Sequence, residues 1–257
     1  MTTASTRGPQ HSSISSAQPD GERLIDAEGY LPLVRIVLVG PPGAGKGTQA
    51  QFIADHLHVP KISTGDMFRT HIKGETPLGI QVKTFLNAGK LVPDEVTIAM
   101  VRDRLAQPDA VDGFLLDGFP RNVAQARVLD GILADAGIAG SETGARLDVV
   151  LDLEVDNDEV VKRISGRRLC RNDDQHIFHV DYSPSTAGEK CDKCGGELYQ
   201  RSDDQEGVVQ HRLEVYADET APIIGFYREQ GILSTIDATG SVDEITKRAL
   251  AVLPDQG

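Results

Sequence analysis

The chain has 257 residues and a mass of 27.7 kDa, with 26 Lys+Arg against 39 Asp+Glu and a formal net charge of -13 at pH 7. That length holds one substantial domain plus a small insert, or two modest domains, and buries a core without disulfide staples. The acidity argues against a general polyanion or nucleic-acid binder, so any anion site has to be built from locally clustered basic residues. The first 33 residues are rich in Ser, Thr, Gly, Pro and Gln and have neither an apolar signal core nor a basic presequence pattern, which predicts a disordered extension. Order is expected to begin at 34–39, a β-branched run that passes directly into glycines, as a central parallel strand feeding a loop does. Helical spacing follows over 47–57, a short strand over 59–62, and a second helical run through 105 with Pro93 near its first turn. A buried strand at 114–117, a helix over 123–136, a strand at 147–153 and a helix over 156–164 continue the alternation expected of βαβ units. From 166 to 204 the pattern breaks into Gly, Cys, aromatic and charged residues, which reads as an insert in the α/β core. A long helix over 208–230, a strand at 232–236 and a helix over 241–250 close the chain, the last with Ser241 as N-cap and Glu244 at N3. No apolar run reaches transmembrane length, and a cytoplasmic protein is expected.

Gly-Pro-Pro-Gly-Ala-Gly-Lys-Gly-Thr at 40–48 follows the first strand and opens the first helix. In that context backbone N–H groups and the positive helix end can surround phosphate oxygens, and Lys46 adds a point charge. Gly47 stands between Lys46 and Thr48, so the segment departs from the usual Gly-Lys-Ser/Thr ending. Arg121 follows a strand-end Asp-Gly-Phe-Pro turn, the edge where parallel sheets bind ligands. The three cysteines, 170, 191 and 194, cannot all pair with one another, and their clustering points to reduced thiols on a metal. Cys191-x2-Cys194 is a close pair, and His176 and His179 lie within sequence reach.

Together with Ile62-Ser63-Thr64-Gly65-Asp66-Met67-Phe68-Arg69, Leu91-Val92-Pro93-Asp94-Glu95, Asp117-Gly118-Phe119-Pro120-Arg121 and Tyr199-Gln200-Arg201-Ser202-Asp203-Asp204, the phosphate loop gives the chain a pattern that resembles adenylate kinases from 34 to 250, but not over the first 33 residues. The resemblance implies an α/β P-loop nucleoside monophosphate kinase fold, a parallel sheet flanked by helices. Its core would span 34–62, 93–165 and 205–257, with a mobile AMP-binding insert at 63–92 and a mobile lid at 166–204. The implied activity is reversible, magnesium-dependent transfer, ATP + AMP = 2 ADP, in adenine nucleotide homeostasis. The implied protein is a monomer whose partners are ATP, AMP and ADP rather than nucleic acid or membrane.

By the same resemblance, Lys46, Arg121, Arg167, Arg201 and Arg212 stabilise the transferring phosphates. ATP would meet Gly43, Ala44, Gly45, Lys46, Gly47, Thr48, Arg163, Arg167, Ile177, Phe178 and Gly240, with His179 nearby. AMP would meet Thr64, Arg69, Lys90, Leu91, Val92, Gly118, Phe119, Pro120, Arg121, Gln125, Arg201 and Arg212. The fork geometry of Arg69 and Arg121 suits a monophosphate, and the Gln125 amide offers a donor and an acceptor to an adenine edge. Asp117 and Asp66 would hold magnesium through water. The implied lid zinc takes Cys170, Asp173, Cys191 and Cys194, Asp173 preserving a two-residue gap after Cys170; it is a structural ion, with four protein ligands and no open position. A kinase for another nucleoside monophosphate and a non-enzymatic nucleotide-controlled switch or zinc-ribbon interaction module are the competing expectations.

Overall fold

A computed structural model describes residues 34–135 and 145–253. The expected N-terminal extension and the end of the 123–136 helix at Ala136 lie outside the described residues. The main sheet is parallel throughout, formed by β1 (Val34–Val39), β2 (Lys61–Ser63), β3 (Gly113–Asp117), β4 (Val149–Glu154) and a last strand (Leu233–Asp237), which becomes β8 after three strands of the insert. Their order is β2-β3-β1-β4-β8. β1 is central because every residue in it is buried. Ile36 and Leu38 face one core layer while Val37 and Val39 face the other, the period of two expected of a strand covered on both sides. The first layer packs under α1 (Lys46–Leu57) and α9 (Val242–Leu250); the second packs under α4 (Asp94–Leu105), α5 (Val123–Asp135) and α8 (Pro222–Glu229). Burying an aliphatic side chain such as Ile36 contributes roughly 1.5–3 kcal/mol relative to exposure.

The chain passes from β1 to β2 on one side of the sheet, returns to β3 beside β1, and then crosses to β4 on the other side, so a crevice opens at the carboxyl ends of β1, β3 and β4. Two smaller units border it. α2 (Thr64–Lys73) and α3 (Pro77–Asn87), neither assigned from periodicity, form a hairpin around Phe68, Val82 and Val92. The Ser63 hydroxyl caps α2 by accepting from the Asp66 N–H, and Thr76 caps α3 ahead of Pro77. After α6 (Asn157–Ser165), β5 (Arg167–Cys170), β6 (Ile177–His179) and β7 (Leu198–Tyr199) form an antiparallel sheet in the order β6-β5-β7. Its buried apolar cluster is only Cys170, Phe178 and Cys191, with Leu198 packed against it.

The long helix expected over 208–230 is broken. α7 (Glu206–Val215) passes into a π-helical segment, Tyr216–Thr220, before α8 begins at Pro222. Pro222 has no N–H to donate, and the Ala221 N–H reaches back five residues to the Tyr216 carbonyl at 2.8 Å. The extra residue directs Thr220 inward, where its hydroxyl donates to the Arg121 carbonyl at 2.8 Å. The short second strand is also shifted, to Lys61–Ser63. In the closing helix the expected cap is present as a complete capping box between Ser241 and Glu244.

Candidate active site and metal centre

Gly45, at φ 90°, is the N-cap of α1, and the Thr48 and Gln49 N–H groups both return to its carbonyl. Gly43 also has a left-handed backbone, at φ 81°, and a Cβ there would lie 2.7 Å from Ile164 Cγ1; the loop can lie against α6 only with glycine at this position. Lys46 Nζ donates to the Gly40 and Pro41 carbonyls at 2.6 and 2.7 Å. Its side chain is reached from the crevice, yet the ammonium is poorly solvated, and burial lowers its pKa to about 7 despite the nearby Asp117 carboxylate. A methyl on Gly47 would lie 3.6 Å from Asp117 Oδ2, so this carboxylate faces the loop and fits a water-held divalent cation there. Asp66 is engaged elsewhere, accepting from Arg69 Nη2 at 2.7 Å with Lys61 Nζ at 3.8 Å.

An open cleft runs from Lys46 past Arg121 and Arg212 to Arg69, and on to Lys90, Leu91, Val92 and Gln125. Thr64, Gly118 and Pro120 also line it, whereas Phe119 packs into the core. Gly118 has φ 84°, and a Cβ on it would sit 2.7 Å from Thr64 Oγ1; the turn allows the Thr64 hydroxyl and Arg121 Nε both to donate to the Gly118 carbonyl at 2.9 Å. The Nε–H groups of Arg69 and Arg201 are buried without a partner among the described residues. Burial, then the neighbouring guanidiniums Arg69 and Arg167, lower the Arg201 pKa; burial likewise lowers those of Arg121 and Arg212. Such a group of partly unsatisfied cations is stabilised by an anion bearing several oxygens.

Two carboxylates order part of this group, and sequence reasoning gave neither a role. Asp204, fully buried, accepts from Arg167 Nη2 and Nε at 2.5 and 2.9 Å, and Asp203 accepts from Arg212 at 3.1 Å. Burial disfavours the Arg167 charge, but Asp204 more than offsets it and raises the pKa. Their position in the 199–204 motif beside Arg201 was the available signal. Thr220 and Asp152 were also missed. Asp152 is buried opposite Val39 at the crevice, its pKa raised by burial and then by Glu154.

The remaining sequence-derived candidates lie around the other side of the phosphate loop. Arg163 donates to Glu159 and, at 2.9 Å, to the Ala238 carbonyl, which joins α6 to the loop carrying Gly240. Ile177 is exposed on β6, but Phe178 turns inward with Cys170 and Cys191, so any contact it makes with a ligand uses its backbone. The His179 ring accepts the Asp181 and Tyr182 N–H groups through Nδ1 and faces the Lys162 carbonyl through Nε2. It therefore braces β6 against α6 and does not join the thiols.

The thiols of Cys170, Cys191 and Cys194 gather with His176, all four ligand atoms lying within 4.8 Å of one another. Cys170 Sγ is 3.3 Å from Cys194 Sγ, and Cys191 Sγ is 3.4 Å from His176 Nδ1. A tetrahedral zinc with Zn–S near 2.3 Å has ligand edges of about 3.5–3.8 Å, so this donor set fits the ion. The expected fourth ligand, Asp173, is not in this group, and His176 stands in its place. It stands on the far side of the imidazole, with Oδ2 3.5 Å from His176 Nε2, while its Oδ1 caps a turn by accepting the Gln175 N–H. The chain between β5 and β6 bends at Asp173, where the His176 N–H bonds to the Asp173 carbonyl, and this swings the imidazole over the thiols.

Comparison with known proteins agrees with this geometry. The family profile described as "Adenylate kinase" matches residues 38–232. The chain is 60% identical over 220 residues to the adenylate kinase of Streptomyces coelicolor, covering 86% of this chain and 98% of that one. It is 62% identical to that of Acidothermus cellulolyticus over the same shares, and 51% identical to that of Moorella thermoacetica over 82% of this chain and 94% of the relative. The phosphate loop, the arginine-lined cleft and these likenesses together establish that the chain belongs to the adenylate kinase family.

Proposed function

We propose that the chain catalyses ATP + AMP = 2 ADP with two nucleotides bound at opposite ends of one crevice. The observation that carries this reading is the continuity of the cleft from Lys46 at the phosphate loop to the Gln125 amide. A nucleotide-controlled switch needs only the first of these ends. In this reading the loop, with Arg163 and Gly240 near the base, holds ATP, and Gln125 and Val92 hold the adenine of AMP. Arg69 and Arg121 fix its phosphate, and Lys46, Arg121, Arg167, Arg201 and Arg212 stabilise charge on the transferring group. The unit at 63–92 is the AMP-binding insert and that at 166–204 the lid, whose closure excludes water from a reaction that needs alignment and no protein nucleophile. Magnesium, held through water at Asp117, supplies charge neutralisation on the polyphosphate when bound. Zinc on the Cys/His cluster serves the lid's structure. No helix among the described residues is long and apolar enough to cross a membrane, and we read the enzyme as a cytoplasmic monomer.

The test is transfer from magnesium-ATP to each of AMP, UMP, GMP and CMP. AMP is expected to be the preferred acceptor; the absence of AMP-dependent ADP formation would overturn the reading.

Proton linkage checks the loop assignment separately. With a pKa of about 7, Lys46 is mostly neutral at pH 8 in the free protein, and a polyphosphate beside it favours the ammonium. Binding of magnesium-ATP at pH 8 is therefore expected to take up a proton at Lys46, close to a whole one at full effect, and less as pH falls below 7. Calorimetry in buffers of different ionisation enthalpy measures this uptake, and Lys46→Met is expected to abolish the difference.

A further inference from the structure

Asp94 is the first residue of α4, and the bland role for it is to complement the positive helix end. Its contacts go further. Both Asp94 oxygens accept from Asn122 Nδ2, at 3.2 and 3.1 Å, and Oδ1 accepts from Gln125 Nε2 at 2.7 Å. On the opposite side, Gln125 Oε1 accepts the Arg121 N–H at 2.7 Å. Asn122 completes the group by accepting the Gln125 N–H at 2.8 Å through its own side-chain oxygen. The amide is 1% exposed, so water cannot substitute for a lost partner.

The orientation of the Gln125 amide follows from chemistry. A carboxylate only accepts and a backbone N–H only donates, so the NH2 must face Asp94 and the oxygen must face Arg121. One N–H and one oxygen lone pair remain for a ligand, in a fixed order along the amide edge. Adenine presents a 6-amino donor beside the N1 acceptor. Hypoxanthine and guanine present the reverse, an O6 acceptor beside an N1–H donor, and would require the amide to flip.

We propose that Asp94 is the positioning residue that makes the acceptor site selective for a 6-aminopurine over a 6-oxopurine, by locking the Gln125 amide against that flip. This rests on the reading of the Gln125 end of the cleft as the AMP site. Asp94→Asn removes the acceptor-only character at nearly constant shape: the new amide can present either its oxygen or its NH2 to Gln125, so that the flipped order is opposed by the Arg121 N–H alone instead of from both sides.

The experiment compares AMP with IMP, which differ in this edge, by kcat/KM and by equilibrium binding. The wild-type enzyme is expected to favour AMP strongly. In Asp94→Asn the AMP/IMP selectivity is expected to fall by at least about tenfold, the effect of one discriminating hydrogen bond, with IMP gaining relative to AMP in binding as well as turnover. Asp94→Glu, which again only accepts, is expected to restore much of the selectivity. A purely helix-capping role lowers stability and weakens both substrates alike, so a folded Asp94→Asn enzyme with an unchanged AMP/IMP ratio, or an Asp94→Glu enzyme no more selective than Asp94→Asn, overturns the lock. A wild-type enzyme that fails to use AMP at all overturns the site reading beneath it.

Discussion

Lys46→Met is expected to lower kcat for transfer from ATP to AMP by roughly 10²–10³-fold, the usual effect of removing one preorganised charge from a transition state. The free ammonium is held by two carbonyl oxygens of its own loop and is poorly solvated, so its charge opposes folding where it is not met by a ligand, and it is already positioned for an incoming phosphate. Methionine keeps the stem's volume and removes the charge. The thermal midpoint is accordingly expected not to fall by more than about 4 °C, the shift that ~1 kcal/mol gives a chain of this size, and to rise if relief of the buried charge dominates. Steady-state kinetics beside calorimetric melting separates the two effects. Turnover retained within a few-fold would show that the charge on the transferring group is met elsewhere in the arginine cluster.

The second large effect concerns the insert. Freshly prepared protein is expected to carry about one zinc per chain, and Cys191→Ser is expected to lose it. The insert's buried cluster, Cys170, Phe178 and Cys191 with Leu198 against it, is too small to hold three short strands by burial alone. A metal bound with free ion about a thousandfold above its dissociation constant adds about 4 kcal/mol. Metal loss should therefore appear as a midpoint lower by roughly 10 °C, or as lost amide protection confined to 167–199. The placement of His176 sharpens the test. His176→Ala is expected to release the metal or leave it open to water, whereas Asp173→Asn, which alters only the partner of the imidazole, should keep it with affinity weakened by about 10–100-fold. Metal analysis, with cobalt substitution to report the ligand set, reads both. An Asp173→Asn protein that loses its metal while His176→Ala keeps it would reinstate the carboxylate as ligand.

Much of this architecture was legible from periodicity. The buried run at 34–39 and its glycines mark β1 and the phosphate loop because both faces of a central strand must be apolar, and Ser241 with Glu244 marks the last helix because the capping box is a local device. The hairpin of α2 and α3 was less visible. It buries only Phe68, Val82 and Val92, with other apolar residues partly covered, so its stripe is diluted by residues that face the cleft. The break at Tyr216–Thr220 could not be read locally, since the segment keeps helical spacing and only the Arg121 carbonyl gives Thr220 a reason to turn inward.

Of the site, the sequence by itself marked Lys46 in its glycine loop, Arg121 at a strand end and the three clustered thiols, while Gln125 and the other arginines were singled out through the family resemblance. Such chemistry depends on residue type and on short spacings, which a one-dimensional pattern preserves. Tertiary structure alone decided which groups act on which. It paired Asp204 with Arg167 across 37 positions and Asp94 with Gln125 across 31, and it brought the imidazole of His176, rather than the carboxylate of Asp173, to the thiols. Hydrogen bonds and metal–ligand bonds act over about 2–3 Å, and a bend of one turn in the chain decides which of two neighbouring side chains is within that range.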